Sequence, residues 1–298
     1  MKKLIKSIRN KILSPVLLNI SELNDKVDLL TNRINNIAAN SELNEIVLYM
    51  DATATYNILK EKITRGIIIN YESILERNYS QIIKPGDHVI DIGAHLGRHL
   101  TRFIELVGSG GGLLAFEPLE NQYKELTQKF QYPNVKIHNF ALSDTVAVMK
   151  FYENVDYPEE SGLKERIYNN TGGTVIEKEV NVTTLDTLSN EITRLDYIKL
   201  DAEGNEIAIL NGGINVISKF KPIISVEYGY PSYSVYGHIK NTLFDFCKSI
   251  NYYITDIYGN VIYNRDLWGK LCDGVYWDYF LVPEEKMDYF STNIHLQF

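Results

Sequence analysis

Cysteine is nearly absent from this chain. Two thiols, Cys247 and Cys272, stand in 298 residues. They are too few for a disulfide framework and lack the paired spacing of a zinc site. Both read as the ordinary reduced thiols of a cytosolic protein. Excess basic charge is lacking too: 30 Lys and Arg stand against 38 Asp and Glu, a net charge of −8. That balance disfavours general nucleic-acid binding, which needs a basic face, so no nucleic-acid partner is expected. No apolar run reaches the length of a membrane span. The lysines near the N-terminus are not followed by an uninterrupted apolar stretch and a small-residue cleavage site, so no signal peptide is read and a cytoplasmic location is expected. What is present is ordinary for a globular chain, 45% hydrophobic and 23% charged, with room for one large domain and an appendage.

Charge is unevenly spread. Residues 1–13 hold Lys2, Lys3, Lys6, Arg9 and Lys11 without a single acid, and Leu4, Ile5, Ile8 and Ile12 fall along one side. Such a start either lies on a membrane surface as a peripheral contact or is the solvated beginning of the segment that follows. In that segment Leu13, Val16, Ile20, Leu23, Val27, Leu30, Ile34 and Ile37 recur in steps of three and four. This is the coiled-coil period. Ser14-Pro15 suits a cap and a first helical position. With Ile20, Val27 and Ile34 at a positions and Leu23, Leu30 and Ile37 at d, the pattern favours a parallel dimer, about 35 Å long from Pro15. The chain therefore divides into residues 1–40, a basic start and oligomerisation helix; 41–80, a helical connector with a helix over Tyr71–Tyr79; and 81–298, a catalytic domain.

From Gly86 onward strands and helices alternate, the signature of a mostly parallel sheet covered on both faces. Strands are expected at His88–Ile92, Gly112–Phe116, Val135–Asn139, Tyr197–Leu200 and Ile223–Glu227, with Tyr252–Ile257 and Tyr276–Val282 closing the sheet. An extra hairpin is expected from Val146–Tyr152 and Thr174–Val182. The polar stretch between its arms, Glu153–Gly173, reads as a lid or substrate loop.

The first strand runs into a glycine turn, D-I-G-A-H-L-G, and the second ends in A-F-E-P. Gly93 and Gly97 let the backbone come close to a ligand. Glu117 ends its strand where a carboxylate accepts from ribose hydroxyls, and Pro118 turns the chain away. The dinucleotide fingerprint G-x-G-x-x-G has a glycine in its middle so that a pyrophosphate can lie on the backbone. Here His95 holds that place. A nucleoside without a pyrophosphate fits better, which points to S-adenosylmethionine. Asp91 reads either as a support for the turn or the ligand's amino group, or as a helix cap. His95 is expected to line the pocket.

A second cluster, Y-I-K-L-D-A-E-G-N-E, spans residues 197–206. Asp201 falls at the carboxyl end of a central strand, where open α/β sheets bind ligands, and Glu203 follows in the turn. Lys199, a charge inside a core strand, needs a partner; Asp201 or Glu227 is in reach. The pairing reads equally as structural or catalytic. Asp201 and Glu227 at the mouth of the sheet allow a general base or a hard divalent ion such as Mg²⁺. Tyr228, Tyr230, Tyr233 and Tyr236 beyond them either stack on a sugar ring or pack the loop.

The ordered set I-K-P-G-D-H-V-I-D-I-G-A-H-L-G, A-F-E-P, N-F-A-L-S-D, T-T-L-D-T-L and I-K-L-D-A-E-G-N-E resembles the FkbM family of S-adenosylmethionine-dependent methyltransferases over roughly residues 70–260. The resemblance implies a Rossmann-like class I methyltransferase fold, a seven-stranded sheet with one antiparallel strand. It also implies O-methylation, often of sugar hydroxyls in polysaccharides, glycolipids or natural products. Asp91, Gly93, Gly97 and Glu117 match its cofactor motifs, Ala141 and Leu142 its adenine-side segment, and Asp201 with Glu203 its acidic turn near the methyl group. His95 departs from the usual asparagine, and Arg98-His99 from the usual aromatics. Taken together, the expected cofactor set is Asp91, Gly93, Ala94, His95, Gly97, Glu117, Pro118, Ala141, Leu142 and Asp201. The expected catalytic set is Asp201, Glu203 and Lys199, with Asp201 and Glu227 as candidate metal ligands and a glycan or glycolipid as acceptor. Two rival readings stand beside it: a coiled-coil scaffold carrying a methyltransferase-like domain, and an NAD-dependent oxidoreductase using the same crevice.

Overall fold

A computed structural model describes residues 41–165 and 173–294, with side chains from residue 52 onward. Residues from Ala52 onward form one compact unit. The expected membrane contact at residues 1–13 and self-association helix at 13–37 lie outside the described residues. Helix α1 covers Ser41–Thr64 and α2 covers Tyr71–Ile82. Asn70 caps α2 by accepting from the Ser73 N–H at 2.9 Å. The helix buries Leu75, Asn78, Tyr79 and Ile82, the one-sided spacing of an amphipathic helix.

Among the described residues ten strands follow, β1 His88–Ile92, β2 Gly112–Phe116, β3 Val135–His138, β4 Ala141–Leu142, β5 Ala147–Asn154, β6 Val175–Thr183, β7 Tyr197–Leu200, β8 Ile223–Glu227, β9 Tyr252–Asp256 and β10 Asp278–Pro283. Seven build the main sheet in the order β3-β2-β1-β7-β8-β10-β9. All are parallel except β10, which runs antiparallel to both its neighbours. The central strands are near-continuous apolar runs because helices cover both faces: Val89, Ile90, Ile92, Ile198, Leu200, Ile223, Ile224 and Val226 are all buried. Six of the seven strands expected for this sheet differ from the observed ones by no more than one residue at either end. The closing strand starts at Asp278 rather than Tyr276.

Three further helices matter for the site. They are α3 (Arg98–Val107) after β1, α4 (Glu120–Lys129) after β2 and α5 (Glu206–Gly212) after β7. The expected hairpin is present as β5 and β6, which pair over eight residues. β4 pairs beside β6, and together they form a separate three-stranded sheet. Its buried face is a small apolar cluster of Leu119, Ala141, Phe151, Leu163, Val180 and Val182. The loop between β5 and β6 folds back on its own strand, where Tyr152 and Gly162 bond in both directions.

Candidate active site

Two turns at the carboxyl ends of β1 and β7 meet here. The first begins at Gly93, whose N–H, like that of Ala94, donates to the Phe116 carbonyl of β2. A Cβ on Gly93 would lie 1.9 Å from the Asp201 carbonyl oxygen, so only glycine lets the two turns touch. Its φ of +79° is a second reason for glycine. His95 also has a positive φ, +47°. Histidine and asparagine share an enriched tolerance for that conformation, which explains how His95 replaces the asparagine usual in the resemblance.

Glu117 holds this turn from the side. One carboxylate oxygen accepts from the His95 N–H at 2.9 Å and the other from the Leu119 N–H at 2.8 Å. Each oxygen keeps a second lone pair. Burial raises the Glu117 carboxyl to about 7 against the pull of the two N–H donors.

The second turn, Asp201–Asn205, is shaped by the residue that follows it. Glu206 is buried and accepts from the N–H groups of Ala202 and Gly204, both at 3.0 Å. Burial raises its carboxyl to about 7. Asn205 reaches the other way and donates to the Leu142 carbonyl at 2.8 Å, tying the second sheet to this turn. Glu203 accepts from the Ser232 hydroxyl at 3.5 Å.

Beneath the turns, Lys199 is 4% exposed and donates to Asp201 at 2.9 Å. In the sheet register it lies between Asp91 and Ser225, so the three side chains share one face. Burial opposes its charge, but Asp201 and Asp91 outweigh that and hold the ammonium above the ordinary lysine range. Conversely, Lys199 overcomes the effect of burial on Asp201 and holds its carboxyl below the usual range. Asp91 is 1% exposed, and neither of its oxygens has a hydrogen-bond partner. Burial raises its carboxyl, and Lys199 is the main opposing influence. Oxygens of Asp201, Glu203 and Glu227 all lie within 4.8 Å of one another. Across the sheet from Glu227, in register, stands Asp278. Burial, with Glu72 and Asp201 adding to it, raises the Asp278 carboxyl to about 7.

A cavity of about 410 Å³ opens above these groups. Of the expected residues, Gly93, Ala94, His95, Glu117, Pro118, Ala141, Leu142, Lys199, Asp201 and Glu203 line it. Asp91, Gly97 and Glu227 do not; they support it from behind or stand at its edge. Phe116, Phe140 and Phe151 give one end apolar walls, and Pro158, Glu159, Ser161 and Leu163 bring the β5–β6 loop to its rim. Sequence reading missed Glu72, which reaches the cavity from α2 with no motif around it.

A crevice at the switch point of a doubly wound sheet, with a strand-end carboxylate beside a glycine turn, places the chain in the class of open α/β proteins whose site lies at the carboxyl ends of the strands. Within it, residues 91–252 match the family model described as the methyltransferase FkbM domain. The chain belongs to that family, and its fold is the Rossmann-like class I methyltransferase fold. Solved structures similar to it include FkbM methyltransferase from Methylobacillus flagellatus KT, at 15% identity over 69% of this chain and 50% of that one, with a TM-score of 0.41. The match thus spans half the length of that relative. A putative rRNA-methylase from Clostridium thermocellum is 13% identical over 72% of this chain and 94% of that one, TM-score 0.41. Aeropyrum pernix fibrillarin, solved with natively bound S-adenosyl-L-methionine, is 12% identical over 67% and 68%, TM-score 0.38. No curated protein matches the chain.

The ion-pair arrangement predicts that Lys199→Met lowers folding stability by roughly 3–5 kcal/mol at neutral pH, because it strands buried carboxylates. Asp201 is held low in the folded state, so its contribution is present above the unfolded carboxyl range and lost as pH falls through the folded value. The penalty of the variant should therefore shrink toward acid pH. Denaturant titration of both proteins at neutral and acid pH checks this; a variant as stable as the parent at neutral pH contradicts it.

Proposed function

We propose that this chain is an S-adenosylmethionine-dependent O-methyltransferase acting on a hydroxyl, most plainly one on a sugar of a polysaccharide, glycolipid or glycosylated natural product. The observation that carries the reading is one cavity joining two ends. Glu117 and apolar walls stand at one end, and the Lys199–Asp201 pair with Glu203 at the other. The donor fits the first end on chemical grounds. The free lone pairs of Glu117 suit the two hydroxyls of a ribose, and Ala141, Leu142, Phe116 and Phe140 offer an apolar slot for a base.

When bound, S-adenosylmethionine supplies a methyl group already activated on a sulfonium. The chain must then align an acceptor oxygen and take one proton. Asp201 stands at the turn where the acceptor would enter, ionised over the whole ordinary pH range because Lys199 holds it there. In this reading Asp201 receives the hydroxyl proton, Lys199 keeps it charged and aimed, and Glu203 borders the acceptor. A second reading has Asp201 and Glu227 hold a divalent ion such as Mg²⁺, with Glu203 close enough to join. The closeness of the three carboxylates favours it, while the Lys199 ammonium already on Asp201 competes with it. No described helix is long and apolar enough to cross a membrane, and residues 1–13 keep their place as a proposed peripheral contact.

Asp201→Asn is expected to lower turnover by about 10²–10⁴-fold with donor affinity retained. Turnover can be read as labelled-methyl transfer into a cell-envelope glycan extract; near-normal transfer would remove Asp201 from the base role. Activity that survives exhaustive chelation would remove the metal.

Donor affinity should also depend on pH. Burial raises the Glu117 carboxyl to about 7, and its ionised form accepts from ribose hydroxyls more strongly than the protonated one. Affinity for S-adenosylhomocysteine should therefore rise with pH through that point and level off above it, by up to about tenfold per pH unit. Calorimetry on Glu117→Gln should give weaker binding with that slope gone.

For residues 13–37 we propose a parallel dimer. The full chain should sediment as a dimer, and Leu23→Lys with Leu30→Lys as a monomer; a parent chain that sediments as a monomer overturns the coil.

A further inference from the structure

The donor has a third part that neither Glu117 nor the apolar slot addresses: an α-amino acid, with one ammonium and one carboxylate. We infer that Glu72 of the connector helix and Arg98 at the start of α3 form the subsite that recognises this zwitterion, Glu72 taking the ammonium and Arg98 the carboxylate. This rests on the reading of the donor given above. Both residues line the cavity, and Arg98 Nη1 lies 3.8 Å from Glu72 Oε2. They are opposite charges on different helices that border the same space; both side chains are partly exposed, although Glu72 Oε2, the oxygen nearest Arg98, is itself buried.

Position along the cavity supports the assignment. Glu117 belongs to β2, on one side of β1, whereas the electrostatic neighbours of Glu72 include Lys199 and Asp201 of the β7 side. Strands lie about 4.8 Å apart, so β2 and β7 stand about 10 Å apart across the glycine turn, the reach of a ribose and its thioether arm to the α-amino acid. Asp91 is the residue that sequence reasoning offers to the amino group. Its oxygens are closed off from solvent and do not border the cavity, so Glu72 is the carboxylate that an ammonium there can reach.

Each charge has a support. His99 is buried behind Glu72, with its Nε2 at 2.9 Å from the carboxylate and its Nδ1 at 3.1 Å from the Tyr79 hydroxyl. The imidazole contact is the largest influence holding the Glu72 carboxyl below its usual range. Arg98 opens a ten-residue helix whose N-terminus has no side-chain cap, so the first backbone N–H groups and the helix dipole add to its pull on a carboxylate. Glu72 lies outside the residues that match the family model, so the connector helix contributes to donor recognition.

Ligands that lack one charge at a time test the assignment. 5′-Methylthioadenosine has neither the ammonium nor the carboxylate, and decarboxylated S-adenosylmethionine keeps the amine alone. Calorimetry on the full chain should find S-adenosylmethionine bound at least about tenfold more tightly than either, the scale of a charge-assisted hydrogen bond. Arg98→Gln should erase the advantage over the decarboxylated ligand and leave 5′-methylthioadenosine affinity unchanged. Glu72→Gln should weaken both amine-bearing ligands about tenfold and again spare 5′-methylthioadenosine, which serves as the folding control. If Glu72→Gln loses that control, Glu72→Asp, which keeps the charge, and the exposed Arg98 variant decide. Discrimination that is unchanged in Arg98→Gln overturns the proposal. A parent chain that binds 5′-methylthioadenosine but does not prefer the full donor overturns this subsite alone; one that binds none of the three overturns the donor reading and the subsite with it.

Discussion

One buried ammonium sets the terms for everything around it. Lys199 sits in a central strand, 4% exposed, among Asp91, Asp201 and Glu72. Without it, carboxylates would crowd a low-dielectric interior and shed their charges by taking up protons. With it, Asp201 stays ionised at the rim while Asp91 remains buried behind. A charge inside a parallel strand is costly, and replacing such a group with a hydrophobic one is often neutral for stability when its partners go too. Here one partner, Asp201, follows the end of β7 and lines the cavity, so the cost sits beside the site.

The second constraint is a contact between backbones. Gly93 and the Asp201 carbonyl approach so closely that no Cβ fits between them, and the Asp201 N–H donates back to the Ile92 carbonyl at 3.2 Å. The turns after β1 and β7 are therefore held against each other. Glu117 grips the first through His95, and Glu206 grips the second through Ala202 and Gly204. Each buried carboxylate accepts from backbone N–H groups that have no other place in a helix or strand, which is how short polar turns stay ordered at the edge of a sheet.

Much of this was legible in the sequence. The parallel strands were, because burial on both faces writes them as continuous apolar runs bounded by glycine, proline and acids. The strand-end carboxylates Glu117 and Asp201 were, because position along a strand follows from where the run stops. Which side chains border the cavity was less so. Asp91 and Lys199 occupy neighbouring strands at the same register, and only the pairing of β1 with β7 shows that they face each other. Glu72 was not legible at all. It is one carboxylate in an amphipathic helix, and its significance comes from His99 and Arg98, more than twenty residues away and brought beside it by the packing of α2 on α3. Glu206 carried a signal in the E-G-N-E run, but its inward turn toward two N–H groups depends on the positive φ of Glu203 and Gly204.

A carboxylate held below its usual range looks like a poor choice for a base, and the objection bears on Asp201 directly. The answer lies in when the proton leaves. As a neutral hydroxyl oxygen begins to bond to carbon it gains positive character, and its proton becomes far more acidic than that of the free alcohol. A base at that moment needs to be ionised, close and unsolvated more than it needs to be strong. Lys199 provides the first condition and the rigid turn the second. A carboxylate tuned upward toward neutrality, as Glu117, Glu206 and Asp278 are, would be stronger but would spend part of its time protonated. On the reading proposed here the site places its tuned-up acids where they brace or grip, and its tuned-down acid where a proton must be received.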